Sequence, residues 1–356
     1  MTPSVKQWVT SLDGLENLRT SEAPMPTPGE NEVLVEIHAV SLNYRDTEVI
    51  MGLYNHHATT TKPEPLVPCS DMVGTIISLG PTTTAPPLPI GTRVLSTFNQ
   101  SHLSGQIRAP DMATGLGLPL PGVLATHRVF PATGLVRCPS YLSDGEACTL
   151  PIAAVTAWMS LNGMRPMGRP GGRGERVLVQ GTGGVAIAGL QIAVASGAEV
   201  AVISSSDGKL ERVQGMGAGL GVNYRKEEKW EDRVMEWTGG EGVDVILEGG
   251  GAKTLRKSFD CVAFGGLIDC IGYLSGKEDE AGDRLNTNVL ALRRNVTLKG
   301  ILNGPRDRFE EMLGFYEEKE IRPVVDRVFA FGEAKEALQY LFSGGHFGKV
   351  VVRVAE

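Results

Sequence analysis

The residues best arranged for chemistry are Gly181-Thr182-Gly183-Gly184-Val185-Ala186, which directly follow the apolar run RVLVQ at 176–180. They fit G-x-G-x-x-A, the pattern that turns a strand into a helix around a dinucleotide pyrophosphate. Gly181 allows the sharp turn, Gly183 lets the backbone approach the phosphates, and Ala186 keeps helix and strand close. Gly184 and Val185 open the helix, whose N–H groups and positive dipole end attract anions. A glycine triplet alone also makes plain turns. Here strand, loop, helix and second strand stand in the required order, with Val185, Ala188, Gly189, Ile192 and Ala193 forming one apolar helix face.

The end of the second strand bears on which dinucleotide is bound. NAD sites place an acidic residue about 20 positions on, to bind the ribose hydroxyls. This chain has Ser204, Ser205 and Ser206 there, with Lys209 one helical turn later. Hydroxyls and a cation suit a 2′-phosphate, so the expected cofactor is NADP (NADPH). Asp207 dissents, and reads as the N-cap of the helix that begins GKLERV.

These residues need elements to hold them. Candidate strands are 176–181, 199–205, 243–250, 266–274 and 296–302, with helices at 229–239 and 306–320 among the segments between them. Apolar strands alternating with helices predict a parallel sheet covered on both faces. Before them, 30–40 (ENEVLVEIHAV) alternates as a strand does, and Pro/Gly-rich loops fill 81–91 and 104–123. This first part reads as mainly β. The run 150–161 predicts a helix, 163–175 a linker, and the tail a strand returning to the first domain.

Bulk properties exclude other classes. The 356 residues carry a net charge of −7, so a concentrated phosphate-binding face is not expected, and with it no nucleic-acid partner. The apolar stretch 184–203 is broken by Gln191, Ser196, Gly197 and Glu199, and reads as buried core rather than a membrane span. The N-terminal residues do not read as a secretory signal. The five cysteines form no CxxC pair and read as reduced core residues, which implies a cytoplasmic protein. Forty-five glycines, without a G-X-Y period, imply many turns and close backbone approaches.

The segments SLNYRD (41–46), LPIAAVTAW (150–158), VLVQGTGGVAIAGLQIA (177–193), SSSDGKLER (204–212), IGYLSG (271–276), IRPVVDRVF (321–329) and HFGKVVVRV (346–354) span nearly the whole chain. Together they resemble the medium-chain dehydrogenase/reductase superfamily, in its zinc-independent, quinone-oxidoreductase-like branch. The resemblance implies an α/β protein: a GroES-like, mainly β catalytic domain at 1–150, a Rossmann doubly wound parallel sheet at 151–320, and a C-terminal return at 321–356. It also implies a cleft for nicotinamide and substrate, and a homodimer.

Zinc-dependent members carry a cysteine ligand near Asn43–Asp46 and a Gly-His-Glu motif where this chain has Cys69-Ser70-Asp71-Met72-Val73-Gly74. A catalytic zinc needs about three protein ligands. They are missing at these positions, so no metal is expected. The carbonyl must then be polarised by hydrogen-bond donors, and Tyr44 is the family-like candidate, with Asn43 and Arg45 beside it. The structural alternative is that Tyr44 packs a loop and Asp46 caps the next helix. The resemblance further implies Thr156 by the nicotinamide and Tyr224 with Lys209 by the adenosine phosphate. Gly249, Gly250, Ile271, Gly272 and Tyr273 would stand at the strand ends, and Phe347 and Lys349 would approach from the tail. Simple packing is the alternative for each.

The histidines, among them His38, His56, His57 and His127, form no HExxH, and no G-x-S-x-G is present. The expected activity is NADPH-dependent hydride transfer to an enone or quinone-like small molecule. Alcohol–carbonyl interconversion on the same cofactor and a non-catalytic NADPH-binding protein remain as alternatives. A methyltransferase is disfavoured by the tail and by the missing acidic residue. The loops 53–66 and 99–122, expected to shape the substrate pocket, carry no recognisable substrate code.

Overall fold

The computed structural model describes residues 4–54, 65–81, 88–278 and 286–355; most of the loop 53–66, with His56 and His57, and part of 81–91 lie outside them. The chain divides into two units, Met1–Val155 with Gly304–Glu356, and Thr156–Asn303.

The first unit opens with an antiparallel pair, β1 (Ser4–Val9) and β2 (Arg19–Pro24). β3 (Glu32–Leu42), β4 (Asp71–Leu79), β5 (Arg93–Ser96), β6 (His127–Pro131) and β7 (Leu135–Arg137) follow. β3 does not keep the simple alternation expected of it. Val33–Val35 and Ala39–Leu42 are buried without interruption. The strand pairs with β4 along its length and with β6 at its start, and register shifts at Leu34/Val35 and Ile37/Ala39 turn its faces.

The second unit is a six-stranded parallel sheet: β8 (Arg176–Gln180), β9 (Glu199–Ser204), β10 (Leu220–Asn223), β11 (Val243–Glu248), β12 (Val262–Cys270) and β13 (Thr297–Gly300). Its order is β10-β9-β8-β11-β12-β13, which counted from β8 is the three-two-one-four-five-six order of dinucleotide-binding sheets. The expected helix–turn–strand reading of 184–203 holds, as the helix Gly184–Ala195 and β9. That helix has no narrow apolar stripe, because Ala186–Leu190, Ile192 and Ala193 are all buried while Val185 is half-buried. β10 went unforeseen, and β12 ends at Cys270, short of the expected 274.

After Asn303 the chain returns to the first unit. The helix Arg306–Glu318, expected with the parallel sheet, belongs here instead. Arg306 N–H donates to His102 O at 3.0 Å, and the Tyr141 hydroxyl lies 2.8 Å from Tyr316 O and 2.7 Å from Ile321 O. β14 (Val325–Ala330) and β15 (Lys349–Arg353) then complete the first sheet as β14-β15-β3-β4-β5-β7. The expected return of the tail is thus an antiparallel pairing of β15 on residues 39–42 of β3.

One close approach organises the loop before β4. Cys69 adopts φ 68°, and a Cβ on Gly122 would stand 2.1 Å from its carbonyl oxygen and 2.2 Å from that of Pro68. Both obstacles are backbone and cannot rotate away. Gly122→Ala is expected to lower stability by about 2–3 kcal/mol by overpacking. Gly314→Ala, on the exposed face of the helix Arg306–Glu318 with nothing within 4 Å, should instead raise it by about 0.5–1 kcal/mol. Denaturant unfolding of the two variants checks the contrast.

Candidate functional site

In the first unit, Asn43 is the N-cap of the helix Tyr44–Ile50, and the Asp46 carboxylate accepts the Asn43 N–H at 2.8 Å. Asp46 therefore does the capping work considered for it. Burial, the largest cause, pushes it up to about 7. The Asn43 side chain is engaged elsewhere. Its Oδ1 accepts from Lys349 Nζ at 2.5 Å, and its Nδ2 donates to Asp71 Oδ2 at 3.0 Å. Asp71 also accepts from Ser70 Oγ and from the N–H of Ile152, in the π turn Leu150–Ala154.

Lys349 and Phe347, expected at the cofactor, are 5% and 1% exposed. The Lys349 ammonium points into this cluster and donates to Leu42 O at 2.7 Å. Tyr44 is the group left open, with 41% of it exposed and its ring stacked on Phe342 at 6.5 Å. Burial and the Glu48 carboxylate raise its hydroxyl further above the ordinary value, so it stays protonated.

Arg45, beside Tyr44 in sequence, is engaged with the surrounding loops. Its guanidinium lies between the rings of Tyr54 (4.6 Å) and Phe98 (4.8 Å), and donates to Leu116 O and Leu118 O. It clamps the loops around it rather than presenting its charge beside Tyr44.

In the second unit, the parallel sheet brings the expected residues to one edge, the carboxyl ends of its strands. Gly181 follows β8 with φ 85° and open space where a Cβ would stand, and Gly183 caps the helix Gly184–Ala195. The first-turn N–H groups of such a helix have no intrahelical partner and can receive an anion. Ser204 ends β9 and Ser205 and Ser206 follow it, with Ser206 rather than Asp207 as the N-cap of the helix Asp207–Gly215. Asp207 stands inside the first turn, where Asn223 Nδ2 at 2.6 Å and Lys226 Nζ at 2.5 Å hold its carboxyl below the ordinary value. Lys209 is half-buried, and Tyr224, 43% exposed, donates its N–H to Ser204 O.

Gly249 and Gly250 occupy the end of β11, but their N–H groups are not directed outward. Both donate to Gln180 Oε1, at 3.2 and 3.1 Å. Glu248, 1% exposed, accepts from Gln180 Nε2 at 2.6 Å, from the N–H groups of Gly250 and Gly251, and from the hydroxyls of Thr254 and Ser258. Ile271 and Gly272 N–H donate to Glu248 O, and the Tyr273 ring lies 4.5 Å from Lys277 Nζ. Thr156 is buried and accepts from Asn303 Nδ2 at 3.4 Å. Sequence reasoning missed the Gln180–Glu248 pair. The available signal was a polar residue closing each of two otherwise apolar strands, VLVQ and VILE.

The same signal marks Asp269, which is 0% exposed on β12 with neither carboxylate oxygen hydrogen-bonded. Burial pushes it up to about 8, opposed by Lys299 on the paired strand.

The segments that hold zinc in metal-dependent relatives of the resembled family do come together, but as Asn43 and Asp71 around a lysine. Among the described residues, no group of three or more His, Cys, Asp or Glu side chains is arranged to hold a metal ion. The donor set does not fit a catalytic zinc.

Residues 29–140 match the family model for the alcohol dehydrogenase GroES-like domain, and residues 184–318 that for zinc-binding dehydrogenase. The chain is 39% identical over 352 residues to a zinc-type alcohol dehydrogenase-like protein of Schizosaccharomyces pombe, covering 96% of this chain and 97% of the relative. It is 27% identical to a quinone oxidoreductase-like protein 2 homolog of Nematostella vectensis, covering 92% and 83%. A crystal structure described as an NAD-dependent alcohol dehydrogenase is 29% identical, with a TM-score of 0.85 over 98% of this chain and 100% of that one.

Asp269 yields a pH test. A carboxyl raised in the folded chain is protonated there while the unfolded chain has lost its proton. Its contribution is fully present below the ordinary value of 3.8 and is lost as the pH rises through about 8. In that window each such group removes about 1.4 kcal/mol of stability per pH unit. Asp269→Asn should flatten the decline, gaining on the wild type from pH 5 to 8 in denaturant unfolding. Parallel curves would refute the assignment.

Proposed function

Because this chain belongs to the medium-chain dehydrogenase/reductase superfamily, we propose that it is an NADPH-dependent, zinc-independent reductase of an activated C=C bond in an enone or quinone-like small molecule. The observation that carries the oxidoreductase reading is the Gly181–Ala186 turn at the head of a sheet in dinucleotide-binding order. When bound, the nicotinamide supplies or accepts the hydride.

The chain's own groups divide the remaining work. Gly181, Gly183, Gly184, Val185 and Ala186 cradle the pyrophosphate. Ser204, Ser205, Ser206, Lys209 and Tyr224 receive the adenosine 2′-phosphate, a reading supported by the engagement of Asp207, the nearby carboxylate, with Asn223 and Lys226. Thr156, Gly249, Gly250, Ile271, Gly272 and Tyr273 line the nicotinamide half, with the Gln180–Glu248 network holding the two glycines in place. The Tyr44 hydroxyl, protonated and open, donates to the oxygen on which charge develops.

The alcohol dehydrogenase names among the similar proteins favour a second reading, the interconversion of an alcohol and a carbonyl on the same residues. A substrate panel separates the two: saturated ketones as products support C=C reduction, and allylic alcohols support carbonyl reduction. We further read the protein as cytoplasmic, in keeping with its five unpaired cysteines, and, on the family resemblance alone, as a homodimer.

Two substitutions test the roles. Lys209→Ala should weaken NADPH binding roughly 10–100-fold and leave NADH binding nearly unchanged. Tighter NADH than NADPH binding by the wild type would defeat the cofactor assignment. Tyr44→Phe should lower kcat by about 100-fold with little change in cofactor affinity. An unaltered kcat removes Tyr44 from catalysis.

A further inference from the structure

Lys349 opens β15 with its ammonium buried, and such a cation persists only among oxygen acceptors. Three surround it: Leu42 O at 2.7 Å, Asn43 Oδ1 at 2.5 Å and Asp71 Oδ2 at 3.8 Å. Two belong to the segments that carry the metal ligands in zinc-dependent members, 43–46 and 69–74.

We propose that the Lys349 ammonium is the built-in cation of the first unit, taking over the positioning role of the metal ion. The proposal rests on the zinc-independent reading above. Asn43 is held from both ends, by Lys349 at Oδ1 and Asp71 at Nδ2, so the orientation of its amide is fixed. Asp71 is itself anchored by Ser70 Oγ and Ile152 N–H, so the cation ties β15, the end of β3, the start of β4 and the π turn to one point. Asn43 is also the N-cap of the helix whose first residue is Tyr44. Lys349 is thereby a positioning residue that sets where the Tyr44 hydroxyl stands. Burial lowers its proton affinity, while Asp71 and Asp46 raise it.

The test combines metal analysis of the purified wild type with melting of Lys349→Met, Lys349→Ala and the double variant Asp71→Asn/Lys349→Met. Lys349→Met leaves Asp71 without its counter-charge and should melt roughly 5–15 °C below wild type. The double variant, with neither charge, should recover part of that loss. Lys349→Ala should lower kcat in NADPH oxidation by a quinone with little change in the KM for NADPH, and should regain kcat and stability with ethylammonium chloride but not with equimolar tetramethylammonium chloride, which cannot donate. Should Lys349→Ala not fold, Lys349→Met against the double variant decides the matter. Lys349→Met melting with the wild type, or equal effects of the two salts, would overturn the ammonium role. One tightly bound zinc per wild-type chain would overturn the zinc-independent reading instead.

Discussion

A positive charge buried in protein must be met by oxygen, and that requirement organises the first unit. Lys349 draws a backbone carbonyl, an amide and a carboxylate from segments far apart in the chain. Its bond to Asn43 spans 306 positions. Each acceptor also serves a second element, since Leu42 ends β3, Asn43 caps a helix, and Asp71 begins β4 and receives the π turn. The charge therefore constrains the strand ends and the helix start together, and the exposed Tyr44 inherits its place from that arrangement.

The second unit solves the opposite problem with a buried anion. Glu248 is surrounded by donors from Gln180, Thr254, Ser258 and the N–H groups of Gly250 and Gly251. Hydrogen bonds to a charged group are stronger than neutral ones, so this cage rigidifies the glycine-rich edge that flexible residues would otherwise leave loose. The loop 249–251 is further bonded to 274–276, through Leu274 N–H to Gly249 O and Ser275 N–H to Gly250 O. Asp269 lacks any such cage and responds by keeping its proton.

What the sequence disclosed follows the range of the forces involved. The turn at Gly181, the helix after it and β9 were legible because period, glycine and strand lie within about 30 residues. β10 was missed because its four residues, LGVN, carry no apolar run of their own and are stabilised by pairing with β9. The grouping of the helix Arg306–Glu318 with the first unit is not legible in the sequence, because its partners, His102 and Tyr141, are remote in the chain. Lys349 is legible as a residue of the tail strand, but its direction depends on Asn43 and Asp71, which no local pattern ties to it.

β15 carries one last consequence, for synthesis. It lies between β14 and β3, so the first sheet stays divided until residues 349–353 have been made. The parallel sheet is built from one uninterrupted stretch and can close while the ribosome is still adding the tail. The mainly β unit can pair β3 to β7 among themselves, but it gains β14 and the Lys349 anchor only when β15 arrives. During elongation, then, the first part of the chain to emerge is the last to become native.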